Sequence, residues 1–406
     1  MTEVFLKFVN NGISAGWLVL IIIFLRMIPR IPKRMRPVFW GLVGVRLMLL
    51  VPVKSVFSLI PSVQTIAPEI MYARKPKIYT GIAILNTIVN PIVSESFSPN
   101  PGDSANSLQV LIPILSIVWI FGVVFMLGFA LVNCLRLRRR IRMAVLLDKN
   151  IYQSEEVFSP FVFGFLHPRI YLPFAVDEKI MRNVILHEQA HITRYDHLRK
   201  IFGYLLLSLY WFNPLCWAAY MLFCKDIELA CDECVICNFG KEERADYSET
   251  LLSFCVPKIK RNICPLAFGE IAVKERVKNV LRYKAPVSWI VMTAFAVCIV
   301  IALCFLTNPK HINFREAGLK EVYFLEGSDL LGGSLSFSDN YSYTLVFSGL
   351  SSYIGYGDYE IEGKKLKLSN FFDDNQYIFD IVNGTLVFDG EVSTDTRWWK
   401  GGEVLK

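Results

Sequence analysis

Four apolar runs limit what this chain can fold into more than any other feature: Ile13–Ile28, Pro37–Ile60, Leu108–Cys134 and Val287–Thr307. A helix needs roughly 20 apolar residues to cross the hydrocarbon layer of a bilayer. Inside that layer every backbone amide must be satisfied by the element itself, which leaves helices as the expected form. The rest of the composition agrees, because only 19% of the residues are charged and 53% are hydrophobic, where a soluble domain carries about 25% charged residues. The chain therefore reads as a mainly α-helical integral membrane protein with four transmembrane helices.

Charge orients those spans. Arg30, Lys33, Arg34 and Arg36 follow the first run, and Arg136, Arg138, Arg139, Arg140 and Arg142 follow the third. Positive clusters beside a span mark its cytoplasmic end. Lys258, Lys260, Arg261, Lys274, Arg276, Lys278, Arg282 and Lys284 precede the fourth run and place its start inside as well. The expected order is then residues 1–134 as three transmembrane helices with an external loop at 61–106, residues 135–286 as a cytoplasmic domain, 287–307 as the fourth transmembrane helix, and 308–406 as an external domain. From Arg315 to Lys406 there are 8 basic and 15 acidic residues, against 35 and 21 in the rest, a basic inside and an acidic outside. All ten cysteines fall in the central region or the spans, as expected of free thiols in a reducing compartment. The first run has no small-residue cleavage site behind it, so it reads as an anchor. The net charge of +7 sits beside the spans, where anionic lipid accounts for it, so no direct nucleic-acid binding is expected.

Ile201–Phe223 is also apolar but has basic sequence on both sides, and Asn213-Pro214 interrupts it. It reads as a re-entrant or membrane-embedded hairpin. Arg46 and Lys54 lie within the second run; Lys54 is placed to snorkel, and Arg46 is expected to find a carboxylate partner in the bundle.

In the central region Phe161–Pro173 reads as two short strands broken by Gly164 and Pro168, and Asp177–Lys200 and Lys225–Phe239 read as helices. Glu270–Tyr283 carries charges on a helical period. In the tail, Gly332–Phe347, Gly357–Ser369 and Gln376–Asp389 alternate apolar and polar residues, with Asp339-Asn340 and Asn383-Gly384 at hairpin positions. These features define a small antiparallel β domain.

His187-Glu188-Gln189-Ala190-His191 fits H-E-x-x-H. On a helix, residues i and i+4 share a face, so both imidazoles can point at one metal ion. Zinc brings the pKa of its bound water towards about 7, and Glu188 is placed to act as general base. His197 lies ten residues after His187 but lacks a helix-ending glycine before it, since Arg194 stands there. An uninterrupted helix turns His197 roughly 120° away from the metal. The better third ligand is Glu228, in Glu228-Leu229-Ala230-Cys231-Asp232, supplied by a second helix. Asp232 and, more weakly, Asp196 and Arg194 are candidates to orient the histidines, because metal-bound imidazoles generally need a carboxylate on the other ring nitrogen. Cys231, Cys234 and Cys237 suit small core thiols better than an iron–sulfur cluster, since residues i, i+3 and i+6 drift around a helix instead of converging.

Taken in order, Ser159-Pro160-Phe161-Val162-Phe163-Gly164, Pro168-Arg169-Ile170-Tyr171-Leu172-Pro173, His187–His191 with Arg194-Tyr195-Asp196-His197, Trp211-Phe212-Asn213-Pro214-Leu215, Glu228-Leu229-Ala230-Cys231-Asp232-Glu233 and Glu275-Arg276-Val277 resemble the BlaR/MecR-type antirepressor metallopeptidases of bacterial membranes over residues 1–307. The resemblance implies an α+β, gluzincin-like zinc peptidase domain with Glu228 as third ligand and Glu188 as base. It further implies a sensing external domain and cytoplasmic cleavage of a transcriptional repressor, or of the chain itself between the metal site and the last span. The tail is too short for a penicillin-binding domain and has no Ser-x-x-Lys nucleophile, so a β-lactam signal is not implied. Membrane lipid and a protein substrate are the expected partners, with a homodimer as a further expectation, in the bacterial cytoplasmic membrane. The rival readings are a non-catalytic zinc-containing receptor and a cysteine-based redox sensor.

Overall fold

The computed structural model describes residues 1–50, 53–61, 65–71, 76–97, 106–174, 177–253, 273–309, 314–315, 317–324, 332–337, 342–348, 354–370, 376–390, 393, 402 and 404–405. Ten α-helices occur among them: α1 (Thr2–Arg26), α2 (Arg36–Met48), α3 (Ala83–Phe97), α4 (Leu108–Arg140), α5 (Glu178–Thr193), α6 (Asp196–Leu209), α7 (Pro214–Ile236), α8 (Lys241–Ser253), α9 (Val273–Leu281) and α10 (Ser288–Phe305).

Three of the expected spans are helices long and apolar enough to cross a membrane: Thr2–Arg26, Leu108–Met143 and Ser288–Phe305. The second run does not form one long helix. Its α2 has 13 residues, about 20 Å of rise against a hydrocarbon layer of about 30 Å. The helix closes at Met48, the residue whose carbonyl a proline at position 52 would meet in a continuing helix. Beyond it, β1 (Lys54–Ser55) pairs in parallel with β6 (Asn308–Pro309) just after α10. Arg46 finds no carboxylate among the described residues; its Nη1 donates to Leu306 O at the end of α10 at 3.5 Å.

The hairpin takes shape as α6 and the first half of α7, with its turn at Tyr210–Asn213. Asn213 caps α7 by accepting from Leu215 N, and Pro214 opens it without leaving a donor unmade. The turn is fixed to α4 through Trp119 Nε1 donating to Leu209 O and Trp211 Nε1 donating to Trp119 O. Gly122 makes this approach feasible: a Cβ there would lie 2.2 Å from the Trp211 ring. Leu18, Val19 and Ile22 of α1, Phe39, Trp40 and Val43 of α2, and Tyr204, Leu207, Tyr210 and Tyr220 of the hairpin share one core. By contrast, α4 and α10 turn most of their apolar surface outward, as helices facing lipid would.

The two ends of this bundle differ. At one, Asn10 of α1 exchanges hydrogen bonds with the Ile66 backbone, Leu59 N reaches Cys304 O and Ser58 Oγ reaches Thr307 O. Within 61–106, where no periodicity is legible, α3 forms, and its Asn86 and Asn90 accept from Thr80 N and Ile78 N. At the other end Asp226 of α7 is held by Arg26, Arg36 and Trp40. The basic cluster after α1 thus lies beside the second half of α7, and α4 leads into the small sheet next to α5.

That sheet has β2 (Val145–Asp148), β3 (Ile151–Ser154), β4 (Phe161–Phe163) and β5 (Arg169–Pro173) in the order β2-β3-β5-β4. Ile151, Ile170 and Leu172 pack on Val184 of α5. The tail is a separate antiparallel meander of β7 (Val322–Phe324), β8 (Gly332–Phe337), β9 (Ser342–Ser348), β10 (Ile354–Glu362), β11 (Lys365–Asn370), β12 (Gln376–Val382), β13 (Thr385–Phe388) and β14 (Val404–Leu405). Alternate residues of every strand, from Tyr323 to Leu405, bury in one core. Tyr323 Oη of β7 donates to Gly384 O, so the first strand meets the β12–β13 turn and the sheet curls almost into a barrel. Asn383 and Gly384 have φ of 50° and 80°, which a two-residue type I′ turn requires. The expected turn at Asp339-Asn340 lies outside the described residues.

Candidate metal centre

The expected helix over Asp177–Lys200 is two helices. Tyr195, at φ 57°, breaks the run after Thr193, and α6 starts afresh at Asp196. The expected helix at Lys225–Phe239 is the second half of α7, continuous with the hairpin. Crossing α5 and α7 bring the predicted residues together. His187 Nε2 lies 3.5 Å from Glu228 Oε2, and His191 Nε2 lies 3.5 Å from Glu228 Oε1. Each imidazole thus faces a different oxygen of the one carboxylate. Glu188, beside them on α5, is buried to 7% exposure.

The other ring nitrogens are engaged. His191 Nδ1 meets Asp196 Oδ2 at 2.9 Å, and Asp196 is itself fully buried and bonded by Arg194 Nε. Asp196, expected as a weak candidate at the surface, is thus the group that orients His191. His187 Nδ1 lies 2.8 Å from Tyr247 Oη, and Tyr247 donates its single proton to Asp232 Oδ1 at 2.8 Å. His187 must then donate from Nδ1, while its Nε2 faces Glu228 Oε2 at 3.5 Å and Arg276 Nη2 at 3.3 Å. Asp232 therefore acts on His187 through Tyr247. Arg276 of α9 clasps Asp232 with two bonds of 2.7 Å.

Two cations also face Glu228. Lys200 Nζ donates to Glu228 Oε1 at 2.8 Å, and Arg276 Nη1 lies 3.5 Å from Oε2. Burial opposes charge on Glu228, but Lys200 and the histidines outweigh it and hold the carboxyl well below its usual range. Burial also opposes charge on His187, yet Cys231 and Glu228 push it up to about 10. Such a cluster of buried, mutually shifted groups is a mark of functional sites.

His197 stays apart from this cluster; its Nδ1 is buried without a partner. Its exclusion follows from the break at Tyr195, which starts a new helix axis, and not from a continuous helix. Among the described residues one set of three or more His, Cys, Asp or Glu donors converges within 4.8 Å, and it comprises His187, His191 and Cys231. Cys231, read as a core thiol, is therefore part of the site, whereas Cys234 and Cys237 are not, and no iron–sulfur arrangement forms among the described residues. The sequence also missed Tyr247, Lys200 and Arg276. Lys200 and Arg276 both lie in segments whose sequence reads as helix, and nothing in that pattern gives either a role.

Comparison with known proteins bears on this geometry. Regulatory protein BlaR1 of Bacillus licheniformis is 30% identical over 188 residues, covering 44% of this chain and 31% of that protein. The methicillin resistance mecR1 protein of Staphylococcus aureus (strain Mu50 / ATCC 700699) is 28% identical over 142 residues, 33% of this chain and 24% of that protein. Regulatory protein BlaR1 of Staphylococcus aureus is 24% identical over 200 residues, 45% and 34% respectively. The chain thus spans about a third of the length of the curated relatives it matches. The family model described as BlaR1 peptidase M56 matches residues 6–280, from the first apolar helix through the arginine that clasps Asp232. By that match the chain belongs to the BlaR1 peptidase M56 family.

Proposed function

We propose that this protein is a zinc endopeptidase of the bacterial cytoplasmic membrane that converts an external signal into proteolysis on the cytoplasmic side. The observation that carries the reading is the Glu228 carboxylate, which presents one oxygen to each of the two Nε2 atoms at 3.5 Å. His187, His191 and Glu228 would hold the ion. Zinc, when bound, supplies an acidified water and polarises the scissile carbonyl.

The chain's own groups do the rest. Glu188 takes a proton from the attacking water on its carboxylate and passes it to the departing amide nitrogen. Asp196 and Tyr247–Asp232 fix both imidazoles with Nε2 turned inward. The substrate strand lies extended along the free edge of β4, main chain to main chain. Its source is a cytoplasmic repressor protein or the chain itself between the metal site and α10. The β domain that follows α10 serves as the external sensor, and the α6–α7 hairpin dips into the membrane.

The test compares the proteomes of cells carrying the native chain and Glu188→Ala. Cleavage products of a DNA-binding repressor, or of the chain itself, should appear only with the native form. Equal cleavage of every target in both strains would sink the peptidase reading and favour a receptor that keeps its metal for structure.

A further inference from the structure

Cys231 has a place in the metal site that neither the ligand set nor the orienting carboxylates explain. It sits on α7 three residues after Glu228, fully buried. Its Sγ lies 3.7 Å from His187 Nδ1 and 3.5 Å from the His187 carbonyl. The sulfur and one nitrogen of each imidazole fall within 4.8 Å of one another. Tetrahedral zinc with bonds of about 2.3 Å to sulfur and 2.0–2.1 Å to nitrogen has S···N edges of about 3.6 Å, so a contraction of about 1 Å gathers all three donors on one ion once His187 turns from Tyr247 and offers the Nδ1 that the sulfur already meets.

Glu228 can be spared from such a set. Lys200 Nζ already bonds one of its oxygens at 2.8 Å, and Arg276 approaches the other at 3.5 Å. With both oxygens matched by cations, the carboxylate withdrawn from the metal is not left as an unpaired buried charge. A second donor of higher softness stands ready one turn along the same helix.

We propose that the centre has a second, resting state in which Cys231 binds the metal as a thiolate beside His187 and His191, while Glu228 turns to Lys200 and Arg276. The exchange breaks the metal–carboxylate bond and forms a metal–sulfur bond; the thiol proton leaves to solvent, as thiol ligation requires. No electron is transferred. The thiolate state retains the ion while holding it apart from the geometry that carries hydrolysis. This inference rests on the metallopeptidase reading, since it uses the same two histidines.

Cobalt(II) tests it, because a cobalt–thiolate bond gives a near-ultraviolet charge-transfer band that nitrogen and oxygen ligands do not. The full-length protein in detergent micelles is loaded with Co(II), the bound metal is counted, and the spectrum is taken for wild type, Glu228→Gln, Cys231→Ser, Cys231→Ala and the double variant His187→Ala/His191→Ala. Glu228→Gln should show the band at greater amplitude than wild type, and both cysteine variants should bind cobalt but lose the band entirely. Glu228→Gln with one equivalent of bound cobalt and no band would overturn the thiolate state and leave the metal site standing. Cobalt binding unaffected by loss of both histidines, or absent throughout, would overturn the metal site and with it this proposal.

Discussion

Replacing Tyr247 with Phe isolates the outermost support of the metal site with little change of shape. Tyr247 is fully buried, and its hydroxyl accepts from His187 Nδ1 at 2.8 Å while donating to Asp232 Oδ1 at 2.8 Å. The ring packing survives the substitution, so no cavity larger than one oxygen opens. Two hydrogen bonds are lost, one to the His187 imidazolium and one to the Asp232 carboxylate. At about 1.5–3 kcal/mol for each, the metal-free folded state should lose about 3–6 kcal/mol. Asp232 keeps its two bonds from Arg276, so the loss should not exceed that range. The metal should suffer separately: His187 is freed to turn, and loss of such a partner weakens binding by about 10–100-fold. Zinc affinity is read by competition with a chromophoric chelator on the purified full-length protein, and stability by denaturant unfolding in the same detergent with metal removed. Adding Asp232→Asn to Tyr247→Phe should weaken zinc by less than the product of the two single effects, since the relay to His187 is already cut. A Tyr247→Phe protein that binds zinc within about twofold of wild type would refute the relay.

Further outcomes follow from other contacts. Arg276→Met leaves Asp232 buried without its guanidinium and should cost about 3–5 kcal/mol; pairing it with Asp232→Asn should restore most of that stability, as measured by the same unfolding assay. In chelated protein the raised His187 titration favours folding fully below its ordinary value of 6.5, and the benefit is lost as pH rises towards about 10. The thermal midpoint of the metal-free form should therefore fall across that window. The zinc-loaded form, whose imidazoles are already neutral ligands, should not follow it. Gly122→Val places carbon atoms against the Trp211 ring, where a Cβ alone would stand at 2.2 Å. It should destabilise the hairpin–α4 contact by about 1–3 kcal/mol, seen as a lower thermal midpoint with unchanged zinc stoichiometry.

What was legible in the sequence is what depends on neighbours along the chain. Apolar run length gave α1, α4 and α10, a five-residue pattern gave the face of α5 that carries His187 and His191, and Asn383-Gly384 gave a hairpin turn from its φ requirement alone. The failures share a cause. Tyr195 takes a left-handed conformation that nothing in its own residue type demands, so the break between α5 and α6 was invisible. The run from Pro37 reads as one span by hydropathy, although its helix has only 13 residues. Tyr247 and Arg276 stand 60 and 89 positions from His187, beyond any helical period, and reach it because α8 packs on α5 and α9, and α9 on α7. Cys231 was visible but was weighed against Cys234 and Cys237, when its partners were the two histidines.

The join between α9 and α10 sets a mechanical limit. Lys225–Glu275 and Asp232–Arg276 fasten adjacent residues of α9 to α7, and Arg244 holds Tyr283 by its carbonyl and its ring. Between Tyr283 and the start of α10 at Ser288 the chain has five Cα steps, a tether of at most about 18 Å when fully drawn out. Any piston or tilt of α10 that takes up this slack loads the Arg244 clasp on Tyr283 first and the guanidinium on Asp232 next, so a pull on the last helix reaches α8, which carries Tyr247, before it reaches α7.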